Sequence, residues 1–238
     1  MRPAGRLPAE GQAWHTAGLV TPRRCGARFA DADRAIFATV LAHRSPAVIA
    51  AARAVSGLAE PAVVYPLLAA AGLVAARGGR WQHAVLPCLV VASGAVVRRQ
   101  LSQVIARPRP PASEWLAEPE GFSLPSRHTT IAALTAGASA RALGMGGVPR
   151  RTAPMLAAAG VGASRVCLGV HWPGDVLAGW LYAETWLVLA DYVAGASGAG
   201  RVAGDARTRR RGVPLRQLPV APLAGRYRPT DRSAGCRW

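Results

Sequence analysis

The sequence predicts an all-α, integral-membrane bundle of about six helices, and three observations carry that prediction. Charged residues make up 17% of the 238, below the roughly one quarter usual in soluble domains. The charges crowd the first 34 residues, the last 40 and a few short loops. Between them lie long stretches of Ala, Val, Leu and Gly, the pattern of segments whose solvent is lipid.

Taken in order, residues 1–33 scatter Pro, Arg and Gly and read as a flexible basic lead on the cytoplasmic side; no secretory signal peptide is expected. "AIFATVLAHRSPAVIAAARAV" is the weakest apolar stretch, broken by His43, Arg44 and Pro46, and either spans the membrane or lies partly in the interface. Pro61–Ala76 is a clearer span. His83–Val97 begins the next and runs on into "RRQLSQVIARPRPP". "IAALTAGASARALGMGG", "APMLAAAGVGASRVCLGV" and "VLAGWLYAETWLVLADYV" complete the set. Several fall short of the roughly 20 residues a bare span needs, but small residues let helix backbones approach closely in a bundle. The membrane domain is therefore placed at 34–196, with a disordered Arg- and Pro-rich tail at 197–238.

The formal net charge of +17, all of it from arginine on the basic side, raises a nucleic-acid reading. We rank it second: a nucleic-acid domain shows its basic stripe on a folded, mixed-polarity surface, whereas a basic tail lies equally well along anionic headgroups. The four cysteines show neither disulfide framework nor metal-ligand spacing. With the N-terminus cytoplasmic, six spans put "RGGR", "VPRRT" and the tail on the cytoplasmic side, as the positive-inside rule requires. The remaining arginines, in "RRQLSQVIARPRP", "PSRH" and "ASR", share the outer face.

Those three stretches read as chemistry. Prolines 108 and 110 hold Arg107 and Arg109 at the end of a helix. Ser126 offers a hydroxyl and free N–H groups where the next helix starts, an anion site, and His128 follows in its first turn. Arg165 precedes His171 by six residues, and Asp175, one turn into the next helix, reaches the imidazole. A carboxylate on one ring nitrogen fixes the tautomer and frees the other nitrogen to attack. Arginines fork onto phosphate oxygens, so the set suits phosphoryl transfer. By contrast His15, His43 and His83 read as packing or surface residues and Arg107 as a headgroup contact. Glu184 is expected to face the bundle and pair with an arginine or hydroxyl. Trp115, Trp172 and Trp180 read as interface anchors.

Here the sequence resembles the type 2 phosphatidic acid phosphatases, which share a helical core with the vanadium haloperoxidases. Ser164-Arg165, His171 and Asp175 complete that family's third motif; Pro125-Ser126-Arg127-His128 matches the second except that arginine replaces glycine; Arg109-Pro110 ends the first, with Ser102 at its lysine position. The resemblance implies a lipid phosphatase whose His171 forms a phosphohistidine, with Asp175 orienting it and His128 protonating the leaving oxygen. Arg109, Ser126, Arg127 and Arg165 would hold the phosphoryl oxygens, with no metal and no cofactor. Implied substrates are a lipid phosphate or a polyprenyl diphosphate, hydrolysed at the extracytoplasmic face of a multi-pass cell-membrane protein. The other reading, motivated by Ser102, is a weak or inactive protein that binds lipid phosphate or a partner. Arg127 is favoured as the replacement charge over Arg98 and Arg99, because helical side chains lean toward the N-terminus, away from the site.

Overall fold

The computed structural model describes residues 23–79 and 84–211, and its compact units divide at Val193–Ala194. Among these residues seven α-helices form: α1 Arg23–Ala42, α2 Pro46–Gly57, α3 Pro61–Arg77, α4 Leu86–Ile105, α5 Arg127–Ala142, α6 Gly147–Cys167 and α7 Pro173–Arg211. No strand occurs among the described residues. The count exceeds the sequence expectation because the first apolar stretch makes two helices. Ser45 caps α2 by accepting from Val48 N at 3.2 Å, and Pro46 occupies its first turn. A proline there cannot continue the preceding helix, and the two axes meet at 118°.

Two domain boundaries also move. Helix α1 starts at Arg23, so the end of the expected flexible lead is helical, and its Asp33 is buried. Helix α7 continues to Arg211, into the expected disordered tail. His15, His83 and residues 212–238 lie outside the described residues.

Helix α5 is the core of the bundle, burying Ala132, Ala133, Leu134, Gly137 and Ala138 among others. Against it pack Val64 and Leu68 of α3, Val91 of α4, Ala158 of α6, and Ala183 and Leu187 of α7. Near its N-terminus α7 comes so close that a Cβ at Gly179 would lie 3.0 Å from the Ser126 carbonyl. That approach seats the start of α7 against the start of α5. The chain reversals α2–α3, α4–α5 and α6–α7 meet at this end. Roughly 27 Å from the start of α7, 18 residues along that helix, Asp191 joins Arg141 of α5 at 3.0 Å and Arg150 of α6 at 2.6 Å.

Among the described residues no single helix is long and apolar enough to cross a membrane; α1 and α2 pass only jointly, as a bent pair. Large apolar side chains nonetheless stand exposed along several helices, including Leu67 and Val74 of α3, Leu89 and Val96 of α4, Leu156 of α6 and Val188 of α7.

Candidate active site

The reversal between α4 and α5 supplies the first part of the site. Helix α4 ends at Ala106 in a left-handed conformation (φ 49°), and the chain leaves through Arg107-Pro108-Arg109-Pro110. Two indoles brace this stretch: Trp172 Nε1 donates to the Pro108 carbonyl at 3.2 Å and Trp115 Nε1 to that of Pro110 at 3.0 Å. These tryptophans thus fasten the loop, a task the interface reading did not foresee.

Arg109 uses all five donors. Nε and Nη2 hold the carbonyls of Gly121 (2.9 Å), Glu120 (2.7 Å) and Phe122 (3.1 Å). Nη1 holds the Val170 carbonyl at 2.6 Å and meets His171 Nε2 at 3.1 Å. The guanidinium is locked, and one N–H marks the histidine nitrogen that faces the site.

His171 sits in the turn between α6 and α7, 1% exposed. Its Nδ1 faces Asp175 Oδ2 at 3.4 Å, long for a hydrogen bond, and has no other partner. Burial, then the positive charges of Arg109 and Arg165, push its pKa down to about 4 against the pull of Asp175. The ring is therefore neutral near pH 7, with a lone pair on Nε2.

Asp175 is fully enclosed. Its Oδ2 accepts from Ser123 Oγ and, at 2.9 Å, from Trp172 N. Its Oδ1 accepts from Arg107 Nη1 at 2.6 Å, and Arg107 Nη2 reaches Asp33 Oδ2 of α1 at 2.5 Å. Asp33 Oδ1 in turn takes Gly174 N at 2.6 Å. Arg107 is thus no headgroup contact but a cation shared by two buried carboxylates. Neither carboxylate, once out of water, is tolerable without a partner, which draws the guanidinium inward.

Ser126 corrects another expectation. Its N–H is not free but donates to the Asp175 carbonyl at 3.1 Å, and its Oγ accepts from Thr129 Oγ1 at 3.0 Å. The N–H groups of the residues that follow are the first of the helix and lack intrahelical partners. His128, buried, places Nε2 2.8 Å from Glu60 Oε1 at the start of α3. Arg165 is buried and donates through Nη1 to Ser56 Oγ of α2 at 2.9 Å. Arg127 pairs with Glu120 at 3.0 Å and lies 3.9 Å from Glu60.

Arg98 overturns the leaning argument, since its Nη1 donates to the Pro125 carbonyl at 3.0 Å. The loop after α4 folds back along that helix and brings the second motif to Arg98, so a side chain leaning toward the N-terminus meets it. Arg98, Arg99, Ser102, Glu120 and Arg127 share the polar end of a cavity of about 530 Å³, whose other end is apolar between α3, α4 and α5. Glu184 partners an indole, Trp180 Nε1 at 3.2 Å, instead of an arginine or hydroxyl. Among the described residues no group of three or more His, Cys, Asp or Glu side chains is placed to hold a metal ion, and Cys88 and Cys167 are free thiols.

Sequence reasoning brought His171, Asp175, His128, Arg109, Ser126, Arg127 and Arg165 to one place. It missed Asp33, Glu60 and Ser123. Ser123 stood within reach of the second motif, but the two acids carried no spacing signal.

A model of the PAP2 superfamily matches residues 83–197. Decaprenylphosphoryl-5-phosphoribose phosphatase of Mycolicibacterium smegmatis is 33% identical over 139 residues, 56% of this chain and 72% of that protein. Its Mycobacterium tuberculosis counterpart is 29% identical over 152 residues, 63% of this chain and 82% of the relative. Among solved structures, the Bacillus subtilis transmembrane PAP2-type phosphatidylglycerolphosphate phosphatase superposes with a TM-score of 0.62 at 24% identity, covering 71% of this chain and 87% of that one. Aquifex aeolicus LpxE gives 0.54 at 21%, covering 65% and 92%. The all-helical fold agrees with these likenesses, and the chain belongs to the PAP2 superfamily of phosphatases.

Proposed function

We propose that the protein hydrolyses a phosphate carried on a membrane lipid, a lipid or polyprenyl phosphate, through a phosphohistidine on His171 and without a metal. The observation that carries this reading is the His171 nitrogen held at Arg109 Nη1, 3.1 Å away, with Asp175 behind the ring. Nε2 attacks phosphorus in line, and the P–N bond forms as the bond to the leaving oxygen breaks. As Nε2 attacks, the hydrogen bond from Arg109 Nη1 shifts from Nε2 to a phosphoryl oxygen, the guanidinium keeping its proton, while the developing imidazolium draws Asp175 onto Nδ1. His128 gives its proton to the leaving oxygen and recovers one from the water that attacks the P–N bond. Arg109, Arg127 and Arg165, with the N–H groups after Ser126, stabilise the charge on the phosphoryl oxygens.

Arg98 takes the place of the missing lysine. It shares the cavity wall with Ser102 and keeps its charge, because its partner is a carbonyl, whereas the Arg127 charge is met by Glu120. The apolar end of the cavity suits a lipid chain. The exposed apolar side chains suit a membrane protein whose site faces the extracytoplasmic side, away from the turns that carry Arg77 and Arg150–Arg151. The names of the sequence relatives add a sugar phosphate borne on a polyprenyl phosphate to the substrates worth assaying.

The test is phosphate release by the detergent-purified protein, with EDTA present. The panel is phosphatidic acid, phosphatidylglycerol phosphate, a polyprenyl diphosphate and a polyprenylphosphoryl-ribose 5-phosphate. Turnover of at least one lipid that survives EDTA and vanishes in His171→Ala is the expected result. Binding without turnover across the panel would overturn it, and dependence on added magnesium would overturn the metal-free mechanism.

A further inference from the structure

Glu60 is an unusual residue for its position. It is the N-cap of α3, with extended backbone and Pro61 following, yet its side chain makes no capping hydrogen bond. Glutamate is not among the residues that favour this position; Ser, Thr, Asp and Asn cap because their short side chains fold back on the helix. Here the longer side chain crosses to α5. Oε1 lies 2.8 Å from His128 Nε2 and Oε2 3.9 Å from Arg127 Nη2.

The surroundings of His128 give the contact a purpose. A general acid must carry a proton when substrate arrives. Burial, then the charge of Arg165, pushes the His128 pKa down to about 4 although Glu60 pulls it up, so the imidazolium needs Glu60 together with the negative charge of the bound substrate phosphate. Among the described residues, Glu60 is the carboxylate in hydrogen-bond contact with that ring. Burial alone would raise the Glu60 pKa. The hydrogen bond and charge of His128, with the charges of Arg127 and Arg165, outweigh it and hold the carboxyl below its ordinary value. Glu60 therefore stays ionised and supplies the counter-charge.

We propose that Glu60 is the positioning carboxylate of the proton donor, so that the site contains two carboxylate–histidine pairs. Asp175 serves the nucleophile His171, and Glu60 serves His128. The inference rests on the phosphatase reading above. As the bond from phosphorus to the leaving oxygen breaks, the Nε2 proton of His128 passes from its hydrogen bond with Glu60 to that oxygen. In the second half-reaction Nε2 takes a proton from the attacking water as the P–N bond to His171 breaks, and the contact with Glu60 reforms. Glu60 remains a carboxylate throughout, and no proton is gained or lost over the cycle beyond those of water.

The test exploits leaving-group dependence in the full-length, detergent-purified protein. An alkyl phosphate lipid departs as a poor leaving group and needs the acid; p-nitrophenyl phosphate departs as a stable phenolate and hardly needs it. Glu60→Gln is expected to lower kcat/KM at least about tenfold on the lipid phosphate, and less than about threefold on p-nitrophenyl phosphate. Added to His128→Asn, it is expected to cause no further loss, because the two act as a unit. Glu60→Asp, which keeps the charge, should fall between wild type and Glu60→Gln with the same bias. Equal losses on both substrates, no loss on either, or independent losses in the double variant would each overturn the proposal. If the Gln variant does not fold, an unbiased loss in Glu60→Asp would do the same. Inactivity of the wild type on both substrates would overturn the phosphatase reading itself, a separate result.

Discussion

At the scale of single residues, the proposed nucleophile, His171, dictates a pH profile. Only neutral His171 has a lone pair on Nε2, and its pKa is pushed from the ordinary 6.5 down to about 4 by burial and by Arg109 and Arg165. Protonation therefore removes activity only as pH falls through about 4. The acid limb of kcat/KM, which reports the free enzyme, is expected there, and a limb near 6.5 would contradict the buried, arginine-faced histidine. The replacement for the missing lysine is a second residue-scale question. Losing a charge-assisted phosphate contact costs about 1.5–3 kcal/mol, roughly ten- to hundredfold in rate. Arg98→Ala is expected to show a loss of that size in kcat/KM on a lipid phosphate, and Arg127→Gly a smaller one, because the Arg127 charge is already met by Glu120. The reverse order would return the role to Arg127. The motif residues were legible in the sequence because each pattern occupies a turn or two of chain, where spacing fixes geometry. Glu60 and Asp33 were not, since they meet their partners 68 and 74 positions away. Such contacts depend on how helices pack, which no local period records.

At the scale of elements, Arg107 is where helices meet. It joins Asp33 of α1 to Asp175 at the start of α7 from the loop after α4. Arg107→Met would leave two buried carboxylates without their cation, a change worth about 3–5 kcal/mol when one partner of a buried pair is removed. A lower thermal midpoint in detergent and a fall in kcat are expected together, and Asp33→Asn in the same chain should recover part of the stability by removing one orphaned charge. An unchanged midpoint for Arg107→Met would show that the three groups are not a stabilising unit. This connection also explains why α1 runs through the end of the expected lead. Composition marks that segment as a polar lead, but a buried ion pair pulls it into the fold, and hydropathy is blind to paired charge. The break between α1 and α2 rests on a local signal, the Ser45 cap followed by Pro46, although the sequence expectation counted this stretch as one weak segment broken by His43, Arg44 and Pro46.

At the scale of the whole molecule, the proposed orientation of the site rests on where the arginines lie. The reversals α2–α3, α4–α5 and α6–α7 carry Glu60, Arg109, His128 and His171 to one end of the bundle, while the Asp191 cluster with Arg141 and Arg150 lies at the other. Positive charge in short loops is retained on the cytoplasmic side during insertion. In the proposed orientation the site arginines depart from that bias, and they are folded against carbonyls and carboxylates, as Arg109 and Arg107 are. Individual helices do not pass a simple test for spanning. Reporter fusions decide the matter. A phosphatase reporter active only outside the cytoplasm, joined after Phe122, is expected to be active; joined after Gly79 or Arg151, it is expected to be silent. Activity after Arg151 would invert the topology and place the substrate phosphate in the cytoplasm. The catalytic geometry would stand unchanged, but the pool of lipid phosphates open to the enzyme would be that of the inner leaflet.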